Sequence, residues 1–128
     1  MRIVLDTNDL ISAFFWDGNE RKLLRMCRKK KHQLVTSPQI LVELTRVLLD
    51  KFDLPEGKVN EYQEEILLMS ELILLTGEID IIEEDPTDNI ILETAVLGKA
   101  TKIITGDKHL LKFKKYKGIE IIKSMEKR

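Results

Sequence analysis

The sequence predicts an α/β fold, a three-layer α/β/α sandwich around a central parallel sheet. Three observations carry this. Short β-branched apolar runs, such as Arg2-Ile-Val-Leu5 and Lys102-Ile-Ile-Thr105, end in turn chemistry and read as buried strands. Longer stretches carry apolar residues three and four apart and read as amphipathic helices. The two kinds alternate, which implies β-α-β units and parallel pairing. A chain of 128 residues, 43% hydrophobic and 34% charged, fits one domain, 1–128, with a real core and a charged surface.

The elements follow in order. Arg2 to Leu5 is the first strand. Helices are expected from Asp9 to Phe15 and from Asn19 to near Lys30. Gln33-Leu-Val-Thr36 is the second strand. Ser37-Pro38 supplies an N-cap and the favoured first-turn proline. The helix they open reaches Lys51, with Ile40, Leu41, Leu44, Val47 and Leu48 as its apolar face. A long helix starts near Pro55 and carries Val59, Tyr62, Ile66, Leu67 and Met69. Ile73 to Thr76 and Ile79 to Ile82 are strand-like. Asp85-Pro86 opens another helix that ends at Gly98, a C-cap. Strand Lys102 to Thr105, a short helix after Asp107, and strand Ile119 to Ile122 complete the fold.

Composition narrows the setting. The longest apolar run, Ile66 to Leu75, is broken by Ser70 and Glu71, so no membrane span is expected. The chain opens on a strand with no signal peptide before it. The single cysteine, Cys27, fits a reducing cytoplasm and reads as a small core residue. A net charge of −1 exerts no overall pull on a polyanion, but its distribution is uneven. Arg28-Lys29-Lys30-Lys31 and the lysines at 112, 114, 115 and 117 are basic, and Glu78 to Asp88 is acidic. The basic runs are candidate contacts for a nucleic acid backbone, with solvated helix ends as the alternative. Phe14-Phe15-Trp16 and the helix Val59 to Met69 read first as core packing, with a dimer or partner surface as the alternative.

Four carboxylates are the candidate site. Asp6 follows the first strand and Asp107 the strand at 102, and ligands of an open parallel sheet bind beyond the carboxyl ends of its strands. Each has a structural alternative as the N-cap of the next helix, although Thr7 and Asn8 compete with Asp6 for that role. Glu43 shares a helix face with Ile40 and Val47, where a carboxylate must be paired, protonated or metal-bound unless it reaches water at the stripe's edge. Asp88 lies in Asp85-Pro-Thr-Asp88-Asn89, where Asp85 caps and a third-position acid suits the helix dipole. The same geometry turns Asp88 inward, toward the face of Ile91 and Leu92. A ring of Asp6, Glu43, Asp88 and Asp107 calls for a divalent cation, and all-oxygen ligation suits Mg²⁺ or Mn²⁺. His32 and His109 with one cysteine offer no recognised zinc spacing. Such an ion would suit in-line hydrolysis of a phosphodiester. No Ser-His-Asp order, Walker loop or dinucleotide fingerprint supports other chemistry.

These segments together resemble the PIN-domain ribonucleases. The resemblance rests on Ile3-Val-Leu-Asp6-Thr-Asn8, Ser37-Pro38 with Glu43, Asp85-Pro-Thr-Asp88-Asn89 and Thr105-Gly-Asp107-Lys-His-Leu110, in the family's order over nearly the whole chain. It is closest to the prokaryotic toxin components of toxin–antitoxin pairs, similar to VapC toxins. The resemblance implies the three-layer fold and Mg²⁺- or Mn²⁺-dependent cleavage of RNA by Asp6, Glu43, Asp88 and Asp107. It further implies orienting roles for Asn8 and Thr105, an outer role for Asp85, a homodimer and a small antitoxin partner. Two positions depart from the pattern: Asp9 stands where an apolar residue is common, and His109 where an acid is common. A PIN-like module that binds RNA or protein without cutting, a processing nuclease that is not a toxin, and a phosphoacceptor receiver domain are the competing readings. The last is disfavoured because Lys102 precedes its strand's apolar core rather than following it.

Overall fold

The computed structural model describes residues 1–82 and 85–123. Its elements are β1 (Arg2–Leu5), α1 (Thr7–Phe15), α2 (Asn19–Arg28), β2 (Gln33–Thr36), α3 (Pro38–Asp50), α4 (Glu56–Met69) and β3 (Ser70–Leu72). They continue with α5 (Pro86–Leu97), β4 (Lys102–Ile104), α6 (Lys108–Leu111), β5 (Lys115–Tyr116) and β6 (Ile119–Ile122). The strands form one sheet in the order β3-β2-β1-β4-β6-β5. Every pairing is parallel except β5 with β6. Helices flank this sheet, with α1 packed on α2 and α3 and with α3 packed on α4, giving the expected three layers. No helix among the described residues is long and apolar enough to cross a membrane.

The core follows from strands buried on both faces. Ile3, Val4, Leu34, Val35, Ile103 and Ile104 are sealed between the helix layers, with Leu44 and Leu48 of α3 and Leu92 and Ala95 of α5 among the side chains that close over them. Cys27 is buried in the same core, which lifts its thiol to about 11. The aromatic segment divides: Phe14 stacks on Tyr62 at 4.0 Å and Phe15 on Phe52 at 4.9 Å, whereas Trp16 is exposed. On the long helix, Val59 and Ile66 are buried and Leu68 faces outward.

The expected strands are corrected in two places. The third strand is Ser70–Leu72, leading directly out of α4, rather than Ile73–Thr76 or Ile79–Ile82. Pairing with β2 reaches only the Ile73 amide, which donates to the Thr36 carbonyl at 2.8 Å. Beyond it, side chains on α5 take over the backbone. Glu93 accepts from the amides of Thr76 (2.6 Å) and Gly77 (2.8 Å), and Asn89 accepts from those of Ile81 and Ile82. Ile82 is therefore buried in a loop, and the periodicity of these residues reports burial rather than pairing. Of the acidic run Glu78 to Asp88, Glu83 and Glu84 lie outside the described residues.

Gly98 is the C-cap of α5, as expected. Its φ is right-handed at −83°, and the left-handed turn falls on Lys99 at φ 54°. Glycine is needed at 98 for close approach, since a Cβ there would collide with Val35 Cγ1 and lie 2.7 Å from the Thr94 carbonyl. The basic stretch after α6 contains an unforeseen strand, β5, which pairs with β6 through Lys115 opposite Glu120.

Candidate active site

The strand order reverses between β1 and β4. In an open α/β sheet this switch point opens a crevice at the strands' carboxyl ends. Leu5 pairs with Ile104, so Asp6 and Thr105 emerge side by side. The Asp6 amide donates to the Ile104 carbonyl at 3.0 Å, and the buried Thr105 hydroxyl donates to Asp6 Oδ2 at 2.7 Å. The Thr7 amide donates to Asp6 Oδ1 at 2.7 Å. Asp6 is thus the cap of α1 and a wall of the crevice at once; the two readings are compatible because its two oxygens divide the work. Burial raises its carboxyl above the ordinary value, against the pull of the Thr105 and Thr7 hydrogen bonds, and Asp107 and Asp85 add repulsion.

The Asp107 amide donates to Thr105 Oγ1 at 3.0 Å, and its Oδ1 caps α6 by accepting from the His109 amide at 2.7 Å. Asp85 caps α5, accepting from the Thr87 amide at 3.1 Å and the Thr87 hydroxyl at 2.6 Å. Asp88, one turn in, is buried, and its Oδ2 has no hydrogen-bond partner among the described residues. Burial first, then repulsion from Asp107, Asp85 and Asp6, pushes it up to about 7. A buried carboxylate oxygen without a donor is costly, and a cation is the natural complement.

A cleft of about 540 Å³ runs from these residues to α3, lined by Asp6, Asn8, Glu43, Asp85, Asp88 and Asp107 among others. The structure therefore brings the four sequence-predicted carboxylates, with Asn8 and Asp85, to one cleft, and sets Thr105 beneath it. The ring is looser than expected. Atoms of Asp88, Asp107 and His109 lie within 4.8 Å of one another, and Asp6 and Glu43 line the cleft outside that cluster. Asp6 is held back by Thr7 and Thr105. Glu43 is neither buried nor free; both its oxygens accept from the Arg46 guanidinium, at 2.7 and 3.2 Å, one turn along α3. The donors nonetheless fit a hard divalent cation: Asp88 and Asp107 with Asp6 nearby, and Glu43 once released from Arg46.

The basic residues are placed elsewhere. Arg28, Lys30 and Lys31 line a separate cavity with Met1, Arg2 and Gln33, at the amino ends of β1 and β2. The physical reason is the direction of the chain, since α2 must return to that end to start a parallel β2. Neither Lys29 nor Lys112, Lys114 and Lys115 line the acidic cleft. Its lining cation is Lys51, at the end of α3, which no sequence pattern singled out. Two further residues gain importance. Asp9, noted only as a departure, is buried beside Asp6 and lifted to about 8 by burial, Asp6 and Glu20. His109, dismissed for want of a zinc spacing, turns toward Asp88 and Asp107.

Fold and site together define a parallel α/β domain with carboxylates gathered at its switch point. The sequence matches the PIN domain profile over residues 2–109, and the chain belongs to the PIN domain family. PIN domains are generally nucleases. A comparison with curated protein sequences gives no significant match. Among solved structures, the fold is similar to a chain of VapBC2 from Rickettsia felis bound to a DNA fragment from their promoter. The TM-score is 0.66 at 19% identity, covering 94% of this chain and 97% of that one.

Proposed function

We propose that this protein is a divalent-metal-dependent endoribonuclease and the toxin of a toxin–antitoxin pair. One observation carries the nuclease reading: Asp6, Glu43, Asp88 and Asp107 share one cleft, and the most buried of them, Asp88, has an oxygen with no hydrogen-bond partner among the described residues. A bound Mg²⁺ or Mn²⁺ would supply a water of lowered pKa and neutralise charge on the phosphate. Asp88 and Asp107 would hold it, with Asp6 and Glu43 closing the shell. Thr105 fixes Asp6 Oδ2 and the Asp107 backbone with one hydroxyl, so two carboxylates from opposite ends of the chain keep a set separation. Asn8, exposed at the mouth, and Lys51 would meet the RNA backbone.

Likeness to the VapBC2 structure supports the toxin reading and a small antitoxin as partner, and we propose a homodimer as the working form. The test is cleavage of single-stranded RNA by purified protein with Mg²⁺ or Mn²⁺. Cleavage should stop with a chelator and fall at least ~100-fold in Asp6→Asn. Metal-independent binding without cutting would instead indicate a binding module. Growth arrest on expressing wild type but not Asp107→Asn would support the toxin role; equal growth would indicate a processing enzyme.

A further inference from the structure

His109 is absent from the oxygen-only ligand set, yet its ring faces the Asp88 oxygen that has no hydrogen-bond partner among the described residues. Its Nδ1 stands 4.0 Å from Asp88 Oδ2 and 3.6 Å from Asp107 Oδ1. Both separations are too long for hydrogen bonds. They suit ligands around one ion: with bonds of about 2.1 Å, adjacent ligands of an octahedral ion are about 3.0 Å apart and opposite ones about 4.2 Å. The ring's own amide is fixed by Asp107 Oδ1 at 2.7 Å, so backbone and side chain turn toward the same carboxylate. Asp88 is 4% exposed, and its Oδ2 has no donor from the described protein atoms. Three donor atoms thus converge on one small space from α5 and α6.

We propose that His109 Nδ1 is a direct ligand of the site's metal ion, between Asp88 and Asp107, and that this nitrogen makes the site select Mn²⁺ over Mg²⁺. Mg²⁺ demands hard oxygen ligands and sheds water reluctantly, whereas imidazole favours first-row transition ions. The inference rests on the metal-dependent reading of the cleft but is tested without RNA. Mn²⁺ bound to the wild-type protein should show ¹⁴N coupling of a coordinated imidazole in pulsed electron paramagnetic resonance. The coupling should vanish in His109→Gln and persist in His32→Gln, the other histidine variant. By calorimetry, wild type should bind Mn²⁺ at least ~10-fold more tightly than Mg²⁺, and His109→Asp should narrow that ratio by restoring an oxygen. Bound Mn²⁺ without ¹⁴N coupling, a ratio unchanged in His109→Asp, or no Mn²⁺ binding would each overturn the assignment. The wild-type spectrum needs no variant to fold. RNA cleavage by a protein whose Mn²⁺ lacks ¹⁴N coupling would sink this proposal and leave the nuclease reading standing.

Discussion

Thr105 shows how much one hydroxyl can organise. It donates to Asp6 and accepts from the Asp107 amide in a fully buried position, so Thr105→Val leaves a carboxylate oxygen and an N–H without their partner. The expected cost is ~1–3 kcal/mol in chemical denaturation, with weaker Mn²⁺ binding by calorimetry. An unchanged metal affinity would show that Asp6 needs no such support. Asp9 poses the opposite case, a buried acid raised to about 8 from an ordinary value of 3.8. Below pH ~4 the folded and unfolded chains both carry its proton. As pH rises toward 8 only the unfolded chain loses it, so stability falls with rising pH, by at most ~1.4 kcal/mol per unit. Asp9→Asn should therefore melt higher than wild type at pH 7.5 and show no gain near pH 4. An equal loss at both pH values would mean that the carboxylate is an indispensable acceptor.

At the scale of elements, α5 is the organiser. Its first turn presents Asp88, its middle binds the loop 76–82 through Asn89 and Glu93, and its end presses Gly98 against β2. Gly98→Ala should destabilise the fold by ~1–3 kcal/mol through collision with Val35, measurable as a lowered denaturation midpoint with an unchanged slope. Neutral stability would mean that the helix can slide away. Much of this architecture is legible in the sequence because it rests on local signals. Ser37-Pro38 and Asp85-Pro86 mark their helices accurately, and the strands at Arg2, Gln33 and Ile119 follow from apolar patterning. The loop 73–82 was illegible because its amides are satisfied by side chains from a later helix. Asp6, Asp88 and Asp107 could be singled out because strand ends and caps are local features. Glu43's pairing with Arg46 is a local i,i+3 contact on α3, whereas the inward turn of His109 and the cation at Lys51 depend on how helices meet, and no local pattern reports that.

Across the whole molecule, negative charge gathers at the carboxyl ends of the strands, while Arg28, Lys30 and Lys31 lie at the amino ends. Burial and mutual repulsion raise the carboxyls of both Asp6 and Asp88, so holding both ionised in the cleft costs stability. Saturating Mn²⁺ should raise the melting temperature of wild type at pH 7.5. Asp88→Asn should melt higher than metal-free wild type yet gain nothing from Mn²⁺, trading function for stability. A variant still stabilised by the ion would remove Asp88 from its shell. The register of the sheet also has a temporal meaning. Asp6 meets its hydroxyl partner 99 residues later, and β1 gains its inner neighbour only when β4 arrives. Translation delivers these pieces in sequence, so Asp6 waits for its partner until residues 102–107 have been made.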